Sequence, residues 1–330
     1  MSFGRPYILN IDGCIHDGWL VISPIGQVFD KDFLYLLLSS NYAYEQFTDK
    51  ASGSAVSNLN SDKVADSVFP LPPLATQRVI AQWHDEFSSI MNDLENEKKG
   101  LLKNIRLVKF KILELAMQGK LVPQDPTDEP AAEMLKRINP NAKILTDFQH
   151  YPQLPSNWAI STIKEVFTIN PKNKVPDSTI AGFIPMNAIR DGFSNCFSFE
   201  EKPWKNIKSG FTHFANGDVA VAKISPCLEN RKSMILSGLP NGIGSGTTEL
   251  LIFRSEILIP EFALLFFKSD YFIQKCIGTF NGVVGQQRVG KSFVEEIIIP
   301  IPPKDDQKRI TKKVLQWFDY LDMIKFDIES

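Results

Sequence analysis

The sequence is poor in cysteine and histidine, holds no long apolar run and carries almost no net charge. Cys14, Cys196, Cys227 and Cys276 lie far apart with no C-x-x-C pair, so a disulfide framework is not encoded; they read as reduced thiols of a cytoplasmic protein. His16, His84, His150 and His213 are isolated from one another and from the cysteines, at spacings no metal site favours. The longest apolar stretch, Phe33 to Leu38, falls far short of the roughly 18 residues a membrane span requires. With 36 basic against 38 acidic residues, the chain is no histone-like binder, although a local basic face stays open. At 330 residues and 43% hydrophobic, it can form two or three compact units with cores.

What the sequence does have is a repeat. The segment from Phe33 to Tyr42 returns from Phe262 to Tyr271, and Phe69-Pro70-Leu71-Pro72-Pro73 returns as Ile299-Pro300-Ile301-Pro302-Pro303. The offset is about 230 residues at both places, which marks a duplicated domain. Gln77-Arg78-Val79-Ile80 follows the first Pro-Pro and Gln307-Lys308-Arg309-Ile310 the second. Copy two starts near Leu154-Pro155-Ser156-Asn157-Trp158, far upstream of the shared segments, whereas Met1 aligns near Arg231 and Lys232. About 70 residues of copy one's opening half thus have no counterpart, and Met1 reads as an internal methionine of a longer ancestral chain, or the sequence as a fragment.

From Ala75 to Gln118 there is no proline and one glycine, and Ile80, Trp83, Phe87, Ile90, Leu94, Leu101, Val108 and Leu115 recur at intervals of three and four or their sums. That pattern predicts a long coiled-coil helix, about 65 Å at 1.5 Å per residue. Glu97, Asn104 and Lys111 interrupt the seam, Ile105 and Ile112 stand ready to take over as the stripe drifts, and Gly119 is the expected stop. Ile310, Val314, Trp317, Leu321, Ile324 and Ile328 predict a second seam helix that can return antiparallel to the first. The expected fold is α+β, with irregular sheets and long helices forming an antiparallel coiled coil. Its divisions are 1–73, the end of a first domain; 74–122, the central helix; 123–153, a linker with a short helix at Ala131 to Ile138; 154–303, a complete second domain; and 304–330, a closing helix. Strands are expected at Trp19 to Ile22, Gly217 to Ile224 and Glu249 to Phe253, and helices at Phe33 to Phe47 and Glu261 to Ile277.

Gly285 to Ser292 fits the phosphate-loop pattern, but the segments around it read as helix before and a Pro-x-Pro-Pro break after, where a phosphate loop needs a strand and then a helix. Copy one has Ala55, Asn60, Ser61 and Asp62 at the pattern positions. The same loop carries Gln286-Gln287-Arg288, matched by Val56-Ser57-Asn58. Such side chains can bond base edges in a major groove, though an ordinary solvated loop looks the same. Gly242 to Gly246 reads as a turn, Cys227 with His213 lacks the third group of a nucleophilic triad, and Trp204 could stack on a base or anchor local packing. Between Lys202 and Lys232 six basic residues face two acidic ones, a surplus of four.

The Pro-Pro junction with Gln77-Arg78-Val79-Ile80, the ending Leu113 to Val122 and the Leu154-Pro155-x-x-Trp158 entry resemble the domain boundaries of type I restriction-modification specificity subunits. Gly217-Asp218-Val219, Ile224 to Asn230 and Gly246-Thr247-Thr248-Glu249 look like its recognition-domain signatures, and Met1 to Tyr7 like an interior stretch of a first domain. The resemblance implies a non-catalytic subunit that reads double-stranded DNA and docks methyltransferase subunits, and through them a restriction subunit, with S-adenosylmethionine and ATP on those partners. No N/D-P-P-Y/F methyltransferase motif occurs, because Leu71 to Leu74 and Ile301 to Lys304 lack its polar and aromatic ends. The residues expected at DNA are Lys172, Lys174, Arg190, Lys202, Lys205, Lys208, Lys223, Arg231, Lys232, Gln286, Gln287 and Arg288, with Arg5 and Asn58 in copy one. Two other readings stand beside it. The chain could be an assembly or decoy subunit that self-associates through its coil or its incomplete first domain, or a nucleotide-hydrolysing enzyme built on Gly285 to Ser292.

Overall fold

The computed structural model describes residues 5–16, 18–50, 61–146, 153–279 and 287–330. Two compact units emerge, Met1–Gly100 and Leu101–Ser330, with the boundary inside one long helix. In the first unit, α1 (Lys31–Ser39), α2 (Asn41–Lys50) and α3 (Ser61–Ala65) precede α4 (Leu74–Met117). Leu38, Ala43 and Phe47 form its small core with Leu34, Val64 and Phe69. The expected strand at Trp19 to Ile22 does not form. Those side chains are exposed, and no strand is present among the described residues of this unit to pair with them.

After α4 come α5 (Ala131–Ile138), β1 (Ala159–Thr162), α6 (Ile163–Val166), β2 (Thr168–Ile169), β3 (Ile180–Ile184), β4 (Glu200–Pro203) and β5 (Thr212–Ala215). There follow β6 (Val219–Ala222), β7 (Ser233–Ile235), β8 (Ile243–Gly246), β9 (Leu250–Arg254), α7 (Pro260–Phe267), α8 (Asp270–Ile277), α9 (Lys291–Glu295), β10 (Ile298–Ile301) and α10 (Lys304–Glu329). One sheet runs β2-β9-β6-β7, a second β4-β3-β8-β5, and β1 pairs with β10. Every residue of β6 is buried because successive side chains serve opposite faces. Val219 and Val221, with Leu251 and Phe253, meet the helices α7 and α8, whereas Ala220 and Ala222, with Leu250 and Ile252, meet Ile184 and Phe214 of the second sheet. The outer face of that second sheet carries Trp204 and Ile207.

Gly242 to Gly246 is mostly the strand β8, not a turn. A Cβ on Gly244 would come within 2.3 Å of the Phe214 ring, so glycine there lets the ring lie flat on the strand. The single expected helix from Glu261 to Ile277 is two. The Ser269 hydroxyl donates to Phe266 O (2.6 Å) and accepts from the Phe272 amide (3.3 Å), closing α7 and capping α8 in one residue. Ser40 does the same between α1 and α2, with Leu37 O (2.6 Å) and the Ala43 amide (3.2 Å).

Both copies share a second device. Gln77 and Gln307 are fully buried, although each sits in the first turn of a long helix. The Gln307 amide donates to Ile257 O (3.2 Å) and Pro302 O (2.9 Å) and accepts from the Ile259 amide (2.8 Å). Gln77 repeats this with Val28 O (3.0 Å), Pro72 O (2.8 Å) and the Asp30 amide (2.7 Å). One side chain thus binds the Pro-Pro junction to the segment that leads into α7 or α1.

The long helix stops at Gly119 as expected. Lys120 N donates to Leu115 O, and the positive φ of Gly119 is held where a Cβ would come within 2.6 Å of Pro155. Its seam positions divide as the drift of the stripe predicts. Ile80, Trp83, Phe87, Ile90, Leu94, Leu101 and Val108 are 39–68% exposed, and only Leu115 of the set is half-buried. In the second unit the buried stripe of α4 is instead Ile105, Lys109, Ile112, Leu113, Ala116 and Met117. Packing against the globular core selects this face. On α10, Ile310 and Val314 are buried and Leu321 packs against the same core, while Trp317 and Ile324 stand out to solvent. Lys109 Nζ joins the helices, donating to Asp322 (2.6 Å) above the Phe318 ring (4.8 Å).

The segment 123–146 is part of this unit's core. Ala131, Met134 and Leu135 of α5 are buried in it, and Arg309 pairs with Asp128 as well as Asp306. Asp306 also accepts from the Trp158 indole (2.8 Å), and burial raises its carboxyl above the usual range. Lys268 Nζ donates to Gly192 O (2.7 Å) and Arg231 O (3.0 Å). Burial, then the neighbouring Arg231 charge, brings that ammonium down to about 7 against the pull of Asp191.

Two outcomes follow from these joints. Gln307→Ala strands one amide and two carbonyls in the interior and is expected to cost about 3 kcal/mol in urea unfolding, with the Ile259 amide exchanging faster. Unchanged stability would remove the joint. Lys268 is charged in both states below about pH 7, but between about 7 and 10.5 the unfolded chain binds the extra proton, so folding gains stability with rising pH. The stability difference between wild type and Lys268→Met, with Arg231, Asp191 and Asp270 unchanged, therefore grows across that window in urea titrations at stepped pH.

Candidate nucleic-acid interface

Past the end of β6 the chain continues extended through Lys223, Ile224 and Ser225, and it is bonded on both sides. Lys223 N donates to Glu249 O (2.9 Å), Val289 N to Lys223 O (3.0 Å) and Ser225 N to Gln287 O (2.8 Å). Three segments distant in sequence, 223–230, 247–249 and 287–289, thereby form one ledge. Its side chains are organised by carboxylates. Glu249 accepts from Arg288 Nε through both oxygens (3.0 and 2.8 Å) and from an Arg288 terminal nitrogen (2.9 Å), while Glu229 accepts from the Ser225 hydroxyl (2.6 Å). A guanidinium gripped along one edge has a fixed plane, which suits bidentate recognition. The peptide bond between Ser225 and Pro226 is cis.

Gly217-Asp218-Val219 lies behind the ledge and is structural. Asp218 is buried, accepting from the Ala215 amide (2.7 Å) and gripping Arg254 of β9 (2.7 and 2.8 Å), whose guanidinium pKa it raises.

A second basic feature is an open cleft of about 560 Å³ whose lining includes Asn173, Lys174, Asp177, Trp204, Lys208 and His213. Lys208 Nζ is held by both oxygens of Asp177 (2.7 and 2.9 Å). His213 Nδ1 accepts from the Asn173 amide (3.2 Å) and Nε2 donates to Lys208 O (2.7 Å). Burial, then the Lys172 charge, lowers its pKa against that bond, so the ring is neutral and has no nitrogen left to act as a base toward Cys227. Trp204 is 2% exposed with His213 against it at 4.7 Å, which makes it a packing anchor and not a stacking platform.

The residues expected at DNA divide into groups. Lys172, Lys174, Lys205 and Arg190 are exposed and form no ion pair among the described residues. Lys208 and Lys174 line the cleft, Lys205 follows Trp204 in the turn beside it, and Lys223, Gln287 and Arg288 are on the ledge. Lys202 pairs with Glu200 (2.8 Å) over the Phe183 ring (4.3 Å), and Lys232 leans toward Asp191 (3.5 Å). Arg5 is exposed in the first unit; Asn58 and Gln286 lie outside the described residues. Arg231 requires correction. It is 6% exposed, donates to Lys268 O (3.0 Å), pairs with Asp270 and lies 4.4 Å from the Phe110 ring centre, so it braces α8 and α4 rather than facing a ligand. Of the phosphate-loop pattern, Gln287 to Val289 is paired extended backbone, Lys291 is engaged with Glu295 (3.4 Å), and α9 spans only five residues. Sequence reasoning reached Glu249 and Glu229 only as members of signatures and missed Asp177, since a search for cations passes over the carboxylates that aim them.

Comparison with known proteins accords with this arrangement. Residues 2–104 and 155–329 match the family described as the type I restriction modification DNA specificity domain. The type I restriction enzyme EcoAI specificity subunit of Escherichia coli is 39% identical over 276 residues, which is 76% of this chain and 47% of the relative. The EcoEI specificity subunit, also of Escherichia coli, is 39% identical over 261 residues, 72% of this chain and 44% of the relative. This chain therefore spans less than half the length of either. Among solved structures, the HsdS subunit from Thermoanaerobacter tengcongensis superposes with a TM-score of 0.52 at 17% identity, over 91% of this chain and 66% of that one. A structure that addresses complex assembly of the type I R-M system gives 0.53 at 18%, over 90% and 66%. At such identity the likeness is one of fold, whereas the sequence match runs through both copies of the repeat. On that match the chain belongs to the type I restriction modification DNA specificity domain family.

Proposed function

We propose that this chain reads one half of a bipartite duplex target and docks methyltransferase subunits, contributing no catalysis of its own. The observation that carries the reading is the ledge: two signature segments, 224–230 and 246–249, converge there with the 287–289 loop, and Glu249 holds Arg288 edge-on for a base. Arginine pairs bidentately with guanine O6 and N7, glutamine with adenine, and a glutamate can accept from cytosine N4, so Gln287, Arg288 and Glu249 form a reading set. Lys172, Lys174, Lys202, Lys205, Lys208 and Lys223 hold backbone phosphates, and Arg190, Lys232, Gln286, Arg5 and Asn58 complete the contacts. S-adenosylmethionine and ATP bind to the partner subunits, which carry out base flipping and methylation, and a restriction subunit joins through them. The protein works where its DNA is, in the cytoplasm. The helices act as a ruler, since spacing between reading domains fixes spacing between half-sites.

A second reading is favoured by one observation: Trp83, Phe87, Leu94 and Leu101 of α4, and Trp317, Met323 and Phe326 of α10, leave apolar surface in solvent. These faces suit another helix, as in an assembly or decoy subunit that pairs with a further copy. Light scattering across a concentration series separates the two, because a monomer at all concentrations counts against self-pairing.

For the primary reading, selection from random duplexes by the chain with its methyltransferase subunit is expected to enrich a short asymmetric half-site. Arg288→Ala should cost about 1 to 3 kcal/mol and relax one base position. A loss spread evenly over all sequences would move Arg288 to the backbone class.

A further inference from the structure

The cleft on the outer face of the second sheet extends the DNA-reading role and rests on it. Its groups are poorly suited to reading a base. Trp204 is buried with His213 against it, and both imidazole nitrogens are spent on Asn173 and Lys208. What the cleft offers is ammonium groups. Lys174 and Lys208 line it, Lys172 is close enough to His213 to depress it, and Lys205 follows Trp204 in the adjoining turn. Asp177 already uses this arrangement, setting two oxygens on one Lys208 ammonium at 2.7 and 2.9 Å, as the two non-bridging oxygens of a phosphodiester would sit. That carboxylate is 60% exposed, and its residue is held by a backbone bond, Lys205 N to Asp177 O (3.0 Å). The side chain can leave by changing rotamer with the loop in place, and an exposed ion pair resists such exchange weakly.

We propose that this cleft anchors a backbone phosphodiester of duplex DNA and that Asp177 fills the phosphate's place in the free protein, so that DNA exchanges one anion for another on Lys208. The anchor adds affinity without sequence preference, and Asp177 limits its strength.

The test measures affinity of the full chain for a fluorescein-labelled random-sequence duplex against salt concentration, with folding of each variant verified by thermal melting. Lys174→Gln and Lys208→Gln should each make the negative slope of log K against log salt shallower by about 0.9 while leaving the selected half-site unchanged. Asp177→Asn should tighten binding roughly three- to tenfold, and this gain should vanish in the Lys208→Gln background. A gain that persists without Lys208 would reflect only a lost negative charge and overturn the exchange. Duplex binding by wild type with no slope change in the lysine variants would overturn the cleft as anchor while leaving the reading role intact, and absence of duplex binding would overturn both. Inorganic phosphate is titrated while the His213 ring is followed by NMR. A response to phosphate but not to duplex would make the cleft a small-anion site instead.

Discussion

A glutamine side chain, buried where a polar group has no business without partners, carries the architecture. Gln307 satisfies an amide and two carbonyls, and Gln77 does the same with the matching positions of copy one. Pro-Pro before each helix removes two backbone donors and fixes two φ angles, so the helix cannot start earlier and its first turn presents the glutamine inward. An unpaired amide in that position would forfeit its hydration with no return. The helix therefore leaves its domain in one direction only, as the proposed ruler role requires.

In the second unit that joint is reinforced at both ends. Near the start of α10, Asp306 collects the Trp158 indole and Arg309, while Arg309 reaches Asp128 in the segment after α4. Farther along, Lys109 sits over Phe318 and pairs with Asp322, and Arg231 lies against Phe110. Arg231 ends the 224–231 stretch whose beginning forms the ledge, so the loop proposed to meet DNA is rooted in the helix pair. Burying cations this way is costly unless they are paired. Here each has a carbonyl, a carboxylate or a ring face, and Lys268 gives up part of its charge affinity.

The repeat, the two long helices, α5 and the Gly119 stop were legible in the sequence because each rests on local chemistry: proline placement, periodicity, a left-handed glycine. The seam was legible in part. Ile105 and Ile112 are buried where the drift of the stripe placed them, whereas spacing alone did not show that Lys109, Ala116 and Met117 would share that face while Trp83, Phe87 and Leu94 stay exposed. Arg231 and Lys205 are equally basic in sequence; only the fold buries one against Phe110 and leaves the other in solvent. Trp19 to Ile22 has strand composition, but a strand exists only with a neighbour to bond. The ledge could be anticipated only as separate signatures, since the hydrogen bonds that join 223–230 to 287–289 span some sixty residues.

In the proposed reading, charge pairing tempers how a chain of formal charge −2 would meet DNA, beside Lys172, Lys174, Lys205 and Arg190, which form no ion pair among the described residues. Lys208 has Asp177, Arg288 has Glu249, Lys202 has Glu200 and Lys232 has Asp191. An unpaired basic face would hold any duplex by counterion release and slow the search for a site. Paired cations bind arbitrary phosphate less tightly, because part of their field is already neutralised, whereas a correct base edge meets a guanidinium whose orientation the carboxylate has set in advance. In a chain that reads DNA as proposed, pairing of this kind would lower affinity where contact is indiscriminate and preserve it where contact is geometric, favouring discrimination over grip.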